Sequence, residues 1–87
     1  MKPNKQNGNT QIDSETLRLI RRTRGVAAEI AREAKVGRSY VLRVTRREKP
    51  ASMKIHKVLS DVLWQWGRRY DSAAFRAAAA RVRAERE

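Results

Sequence analysis

Apolar residues recur at helical spacing through most of this chain. The clearest stripe follows the i, i+3, i+4, i+7, i+8, i+11 pattern of a helix that buries one face. It consists of Ile55, Val58, Leu59, Val62, Leu63 and Trp66. Ser52 is a good N-cap before this stripe, and Gly67 is the expected C-terminal stop. The pattern therefore predicts a long amphipathic helix between these two residues.

Shorter helices are predicted before and after that stripe. Asp13 or Ser14 caps a first helix that extends to about Thr23, before a break near Gly25. Two further helices follow, because the apolar phase of residues 27–34 resets at residue 36 and resumes over residues 41–44. Asp71 or Ser72 caps a fifth helix. No strand-like alternation occurs, so the predicted fold is all-α, a compact bundle of about five short helices.

Charge and composition narrow the possible functions. The 87 residues include 21 Lys and Arg against nine Asp and Glu, a net charge of +12. Such an excess on a small surface attracts polyanions, nucleic acid first and an anionic membrane second. The chain has no cysteine and no apolar run near the ~20 residues of a membrane span, so we expect a soluble, intracellular protein.

The segment around residues 27–45 has the spacing of a DNA-binding helix-turn-helix. The small residue Ala31 stands where a second helix would cross the first. Lys35 and Val36 form the turn, and Val41 and Val44 follow as inward anchors. The run AAEIAREAKVGRSYVLRVTRRE resembles the lambda-repressor and Cro-like helix-turn-helix family. The likeness extends roughly over residues 17–63, with Lys35 where the family usually has glycine.

The resemblance implies a helix-turn-helix formed by the second and third helices, and a domain layout. Residues 1–12 would be a flexible basic arm, 13–67 the DNA-binding domain and 68–87 a C-terminal dimerisation helix. The third helix would enter the major groove. Base edges would be read by Arg38, Ser39, Leu42 and Arg43. Backbone phosphates would be contacted by Tyr40, Arg46, Arg47, Lys49, Ser52 and Lys54.

The family also binds DNA as twofold dimers. The candidate interface residues here are Trp64, Tyr70, Phe75 and Val82, although the last helix could instead fold back on its own core. The expected function is a bacterial or phage transcriptional regulator, a repressor that binds an inverted-repeat operator as a homodimer, in the cytoplasm at the nucleoid. The alternatives are an antitoxin, a phage recombination accessory factor, or a non-specific RNA- or nucleoid-binding protein.

Enzyme chemistry is not indicated. No nucleophile with a base, no paired carboxylates and no phosphate loop can be assembled from this sequence. His56 is the single histidine and is expected to be a surface or partly buried side chain rather than a metal ligand. We therefore expect no cofactor, no metal, no small-molecule ligand and no membrane partner. The operator, the regulated gene and the direction of control do not follow from the sequence.

Overall fold

Five α-helices make up the computed structural model, which describes residues 12–86. They are α1 (Ser14–Arg22), α2 (Val26–Ala34), α3 (Arg38–Thr45), α4 (Met53–Arg69) and α5 (Ala73–Arg86). No β-strand occurs in this range, so the predicted all-α bundle is confirmed. The predicted arm lies outside the described residues except for Ile12. Ile12 is buried in the core, so assigning it to a flexible arm was wrong.

Side-chain caps start three of the helices at the predicted places. The Asp13 carboxylate accepts a hydrogen bond from the Thr16 amide at the start of α1. The Ser52 hydroxyl accepts from the Ile55 amide at the start of α4. Ser72, rather than Asp71, supplies the oxygen that accepts from the Phe75 amide of α5. Each cap satisfies an amide that has no partner within its own helix.

The core lies between α2 and the other helices. α2 packs against α1, α3 and α4, and α5 packs mainly along α4, with a smaller contact to α1. The α4 stripe enters this core as predicted, with Leu59 and Leu63 fully buried. α3 packs against α1 and α2 only, among the described helices. It therefore lies at one edge of the bundle.

Gly67 does not end α4, contrary to the sequence prediction. The helix continues to Arg69, and Gly67 lies inside it where α5 crosses. A Cβ atom at this position would come within 2.6 Å of Cγ and 2.9 Å of the backbone nitrogen of Arg76. Glycine is needed here because it permits close helix packing, which is a different role from a helix stop.

His56 is also placed differently from the prediction. It was expected at the surface or partly buried, but it is completely buried in α4. His56 follows Ile55 on the inward face, so the helical phase carries it into the interior. The imidazole is therefore part of the core of the molecule and has no exposed surface.

Candidate nucleic-acid interface

The connection between α2 and α3 is a tight turn with one left-handed residue. Lys35 has φ 60° and ψ 45°, as expected where the resembled family has glycine. The Val36 amide donates to the carbonyl of Ala31 at 3.0 Å, which closes the end of α2. Gly37 is extended and precedes α3 without a side-chain cap. Three residues thus reverse the chain between the two helices.

α3 turns one face inward and presents the other to solvent. Val41, Val44 and Thr45 are buried against α1 and α2. Arg38, Ser39 and Arg43, predicted as base readers, are all exposed. With eight residues, α3 is about 12 Å long, comparable to the width of the DNA major groove. The exposed side of this helix therefore has the size and side chains that groove entry requires.

Two other predicted contact residues are only partly available. Leu42, proposed to touch a thymine methyl group, is half-buried and packs against the core. Tyr40 is half-buried in the same way, in keeping with a ring that packs inward. Both side chains still reach the surface in part, so they can border a contact on α3 but cannot project from it.

Arg47 is engaged within the chain, unlike the prediction that it would contact a phosphate. Its guanidinium group donates to the backbone carbonyl of Ile12 at 2.8 Å and to the hydroxyl of Ser14 at 3.2 Å. Its backbone is left-handed, with φ 63°. This arginine ties the start of α1 to the loop after α3. The separation of more than 30 residues between the partners explains why no local sequence pattern could reveal the contact.

Arg21 is a further positioning residue that sequence reasoning missed. Its guanidinium group donates to the backbone carbonyl of Thr45 at 2.6 Å. Thr45 is the last residue of α3, where unsatisfied carbonyl groups favour a cation. Arg21 therefore anchors the C-terminal end of α3 to α1. Its sequence signal, one arginine among four in and just after α1, does not distinguish it from its neighbours.

The surface around α3 is strongly positive. Residues 34–60 contain a single acidic side chain, that of Glu48. The exposed basic residues predicted to contact DNA that form no ion pair within residues 12–86 are Arg38, Arg43, Arg46, Lys49 and Lys54. Ser52 is half-buried because it caps α4. A polyanion is the class of ligand that such a surface attracts.

The carboxylate of Asp13 is held in its charged form at the opposite side of α1. Burial by itself raises the pKa of this group. Hydrogen bonds from the Thr16 hydroxyl and amide, together with the guanidinium group of Arg81, lower it more, so the pKa lies below the ordinary 3.8. The Arg81–Asp13 ion pair, at 3.2 Å, joins α5 to the start of α1.

The candidate dimer residues separate into two groups. Phe75 and Val82 are 7% and 1% exposed because α5 folds back on α4. They belong to the core of one chain, and their assignment to a dimer interface was wrong. Trp64 and Tyr70 are 40% and 59% exposed. Trp64 borders a cleft of about 220 Å³ that is lined mainly by alanines of α5.

A second tryptophan links α2 to the α4–α5 region. The indole N–H of Trp66 donates to the Glu29 carboxylate at 3.1 Å, and Arg69 lies 3.8 Å from the same carboxylate oxygen. The Trp66 ring also packs on those of Tyr70 and Phe75. Glu29 stands in the first turn of α2, where a negative charge is favoured. The start of α2 is thus held against α4.

Within residues 12–86, no group of three or more histidine or acidic side chains is placed to hold a metal ion. No helix in this range is long and apolar enough to cross a membrane. No protein-family model, no curated protein and no solved structure matches this chain.

Proposed function

We propose that this chain is a sequence-specific double-stranded DNA-binding protein that regulates transcription, acting as a repressor. The observation that carries the proposal is the free basic face of α3, a helix at the edge of the bundle with Arg38, Ser39 and Arg43 exposed. A guanidinium group can bond both guanine O6 and N7 in the major groove. The left-handed turn at Lys35 and the small Ala31 beneath it support the same proposal.

The proposed mechanism is promoter occupancy. α3 lies in the major groove, while Arg46, Lys49 and Lys54 contact phosphates on either side of it. Two copies on an inverted repeat would place their α3 helices one turn of DNA apart, about 10–11 base pairs from centre to centre. Trp64 and Tyr70 are the remaining candidates for contact between copies, because both are exposed.

Selection of duplexes from a random pool tests this proposal. We expect enrichment of one motif, and we expect Arg38→Ala and Arg43→Ala each to weaken binding to it by ~1–3 kcal/mol. Arg68→Ala is the matched control, since Arg68 is exposed on α4, which does not pack on α3. Equal losses for all three variants, or no enriched motif, would contradict base reading by α3.

Non-specific nucleic-acid binding is the second candidate function. Exposed arginines also occur on α1, α4 and α5, including Arg22, Arg68 and Arg83. Charge spread over several faces favours binding without sequence preference. The two functions are separated by the ratio of affinities for the enriched duplex and a scrambled duplex at ~150 mM salt. A ratio near one, or tighter binding to RNA, would favour this second function.

A further inference from the structure

One edge of α1 runs beside the loop that follows α3. Ser14, Arg18 and Arg21 are spaced four and three residues apart, so they lie on one stripe of the helix. We call this stripe the α1 edge. Its two end residues both contact the loop: Ser14 accepts from Arg47, and Arg21 donates to the Thr45 carbonyl. These two bonds fix the direction of the α1 edge relative to α3.

Arg18 must therefore lie along the same loop. The loop residue between Thr45 and Arg47 is Arg46, and the residue between Ser14 and Arg21 on the α1 edge is Arg18. Both arginines are exposed, and neither forms an ion pair within residues 12–86. The stripe and the loop thus bring two free guanidinium groups to the same corner of the molecule.

Two like charges at one corner repel each other unless an anion lies between them. The acidic residues closest in sequence are Glu15 and Glu48, and neither forms an ion pair in the described part of the chain. Guanidinium groups bind phosphate in a two-pronged geometry that a lysine cannot reproduce. The corner also adjoins the end of α3, the helix proposed to enter the groove.

We infer that Arg18 and Arg46 together bind one phosphate of the DNA backbone beside the segment read by α3. This inference rests on the proposed function and extends it, because it adds α1 to the contact surface. Arg18 acts as a positioning residue: it holds the duplex against the C-terminal end of α3 and carries no base specificity.

The salt dependence of binding tests the inference. Affinity for a mixed-sequence duplex is measured by fluorescence anisotropy over a range of NaCl concentrations. For Arg18→Gln we expect a several-fold lower affinity and a log–log slope smaller by about 0.9, the value for one lost phosphate contact. Arg83→Gln removes the same charge from α5 and is expected to leave the slope unchanged. Arg18→Lys should restore most of the slope and only part of the affinity.

The outcomes separate the inference from the proposed function. If the wild type does not bind duplex DNA, the proposed function fails and the inference fails with it. If the wild type binds but Arg18→Gln behaves like Arg83→Gln, the inference alone is overturned. Thermal unfolding of both variants completes the experiment. Arg18 makes no hydrogen bond to the rest of the described chain, so an unfolded Arg18→Gln variant would also overturn the assignment.

Discussion

The α2–α3 pair and the α4–α5 pair use the same turn chemistry for different ends. In both, a left-handed residue that is not glycine follows the first helix, Lys35 in one and Asp71 in the other. In both, the next amide donates to the carbonyl five residues back, at 3.0 Å for Val36 and 2.9 Å for Ser72. The turns are thus equivalent, but the helices that follow them are not.

The second helix of each pair decides what the pair can do. α5 has 14 residues and buries Phe75, Ala78, Ala79 and Val82 against α4 and the core. α3 has eight residues and buries only Val41, Val44 and Thr45. A short helix at the edge leaves most of its surface free, whereas a long one along its neighbour builds the core. The turn therefore sets the reversal of the chain, and burial sets the role.

The largest expected effect breaks the α4–α5 pair. Val82→Asp places an unpaired carboxylate in the core and should destabilise the fold by ~4 kcal/mol or more. Ala80→Asp is the control, since Ala80 is exposed on the same helix. Circular dichroism during heating measures both variants. If Val82→Asp instead gives a folded monomer while the wild type is a dimer by light scattering, the assignment of Val82 to the core is refuted.

The next prediction compares crowding in the two pairs. Ala31→Leu and Ala79→Leu each force extra carbons between packed helices and should destabilise the fold by ~1–3 kcal/mol. Only Ala31 lies beneath α3, so only Ala31→Leu should also lower DNA affinity at a temperature where both variants are folded. Urea unfolding and a gel-shift titration give the two quantities. Equal DNA affinity for both variants would remove the link between Ala31 and the orientation of α3.

Relief of strain in the α2–α3 turn is a smaller effect. A left-handed backbone costs a non-glycine residue ~1–2 kcal/mol, and glycine adopts it freely but loses more chain entropy on folding. Lys35→Gly should therefore stabilise the fold by about 1 kcal/mol. Lys35→Ala keeps the strain and serves as the control for loss of the side chain. Thermal unfolding that ranks alanine above glycine would contradict the left-handed assignment.

The smallest expected effect concerns pH and the start of α1. The pKa of Asp13 is lowered in the folded chain, so the charged form stabilises the fold. This contribution is fully present above the unfolded value near 3.8 and is lost as pH falls through the folded value. Asp13→Asn keeps a capping oxygen. The difference in unfolding free energy between wild type and this variant should shrink below about pH 4 and should be constant near pH 7.

Arg81→Gln removes one of the groups that lower the pKa of Asp13 and tests the cause of this pH dependence. We expect a weaker acid dependence than in the wild type, because the hydrogen bonds from Thr16 remain. A wild type and Asp13→Asn variant with parallel pH profiles would contradict the lowered pKa.

Local patterns predicted the elements of this fold well. Helical spacing located the α4 stripe, and the caps at Asp13 and Ser52 followed from residue type. Long-range placement did not follow. Gly67 has the composition of a helix stop, yet contact with α5 determines its role, and the actual end of α4 uses Asp71. The burial of Phe75 likewise depends on where the last helix docks, which one amphipathic stripe does not specify.

The candidate site was predicted to a similar extent. Arg38, Ser39 and Arg43 are exposed because helical phase alone separates them from Val41 and Val44. Arg47 and Arg21 could not be assigned from the sequence, because each bonds to a backbone carbonyl more than 20 residues away. Charge marks an arginine as available for phosphate, and only the fold shows which arginines are already in use.

The Asp13–Arg81 bond has a consequence for the topology of the chain. It joins residues 68 positions apart, so the start of α1 and the last turns of α5 lie side by side. A short linker could close the chain into a ring at this point. New ends could then be opened in the exposed loop between α3 and α4, since circular permutation is tolerated where ends are close and cut sites are exposed. Order along the chain and position in space are separable in this bundle.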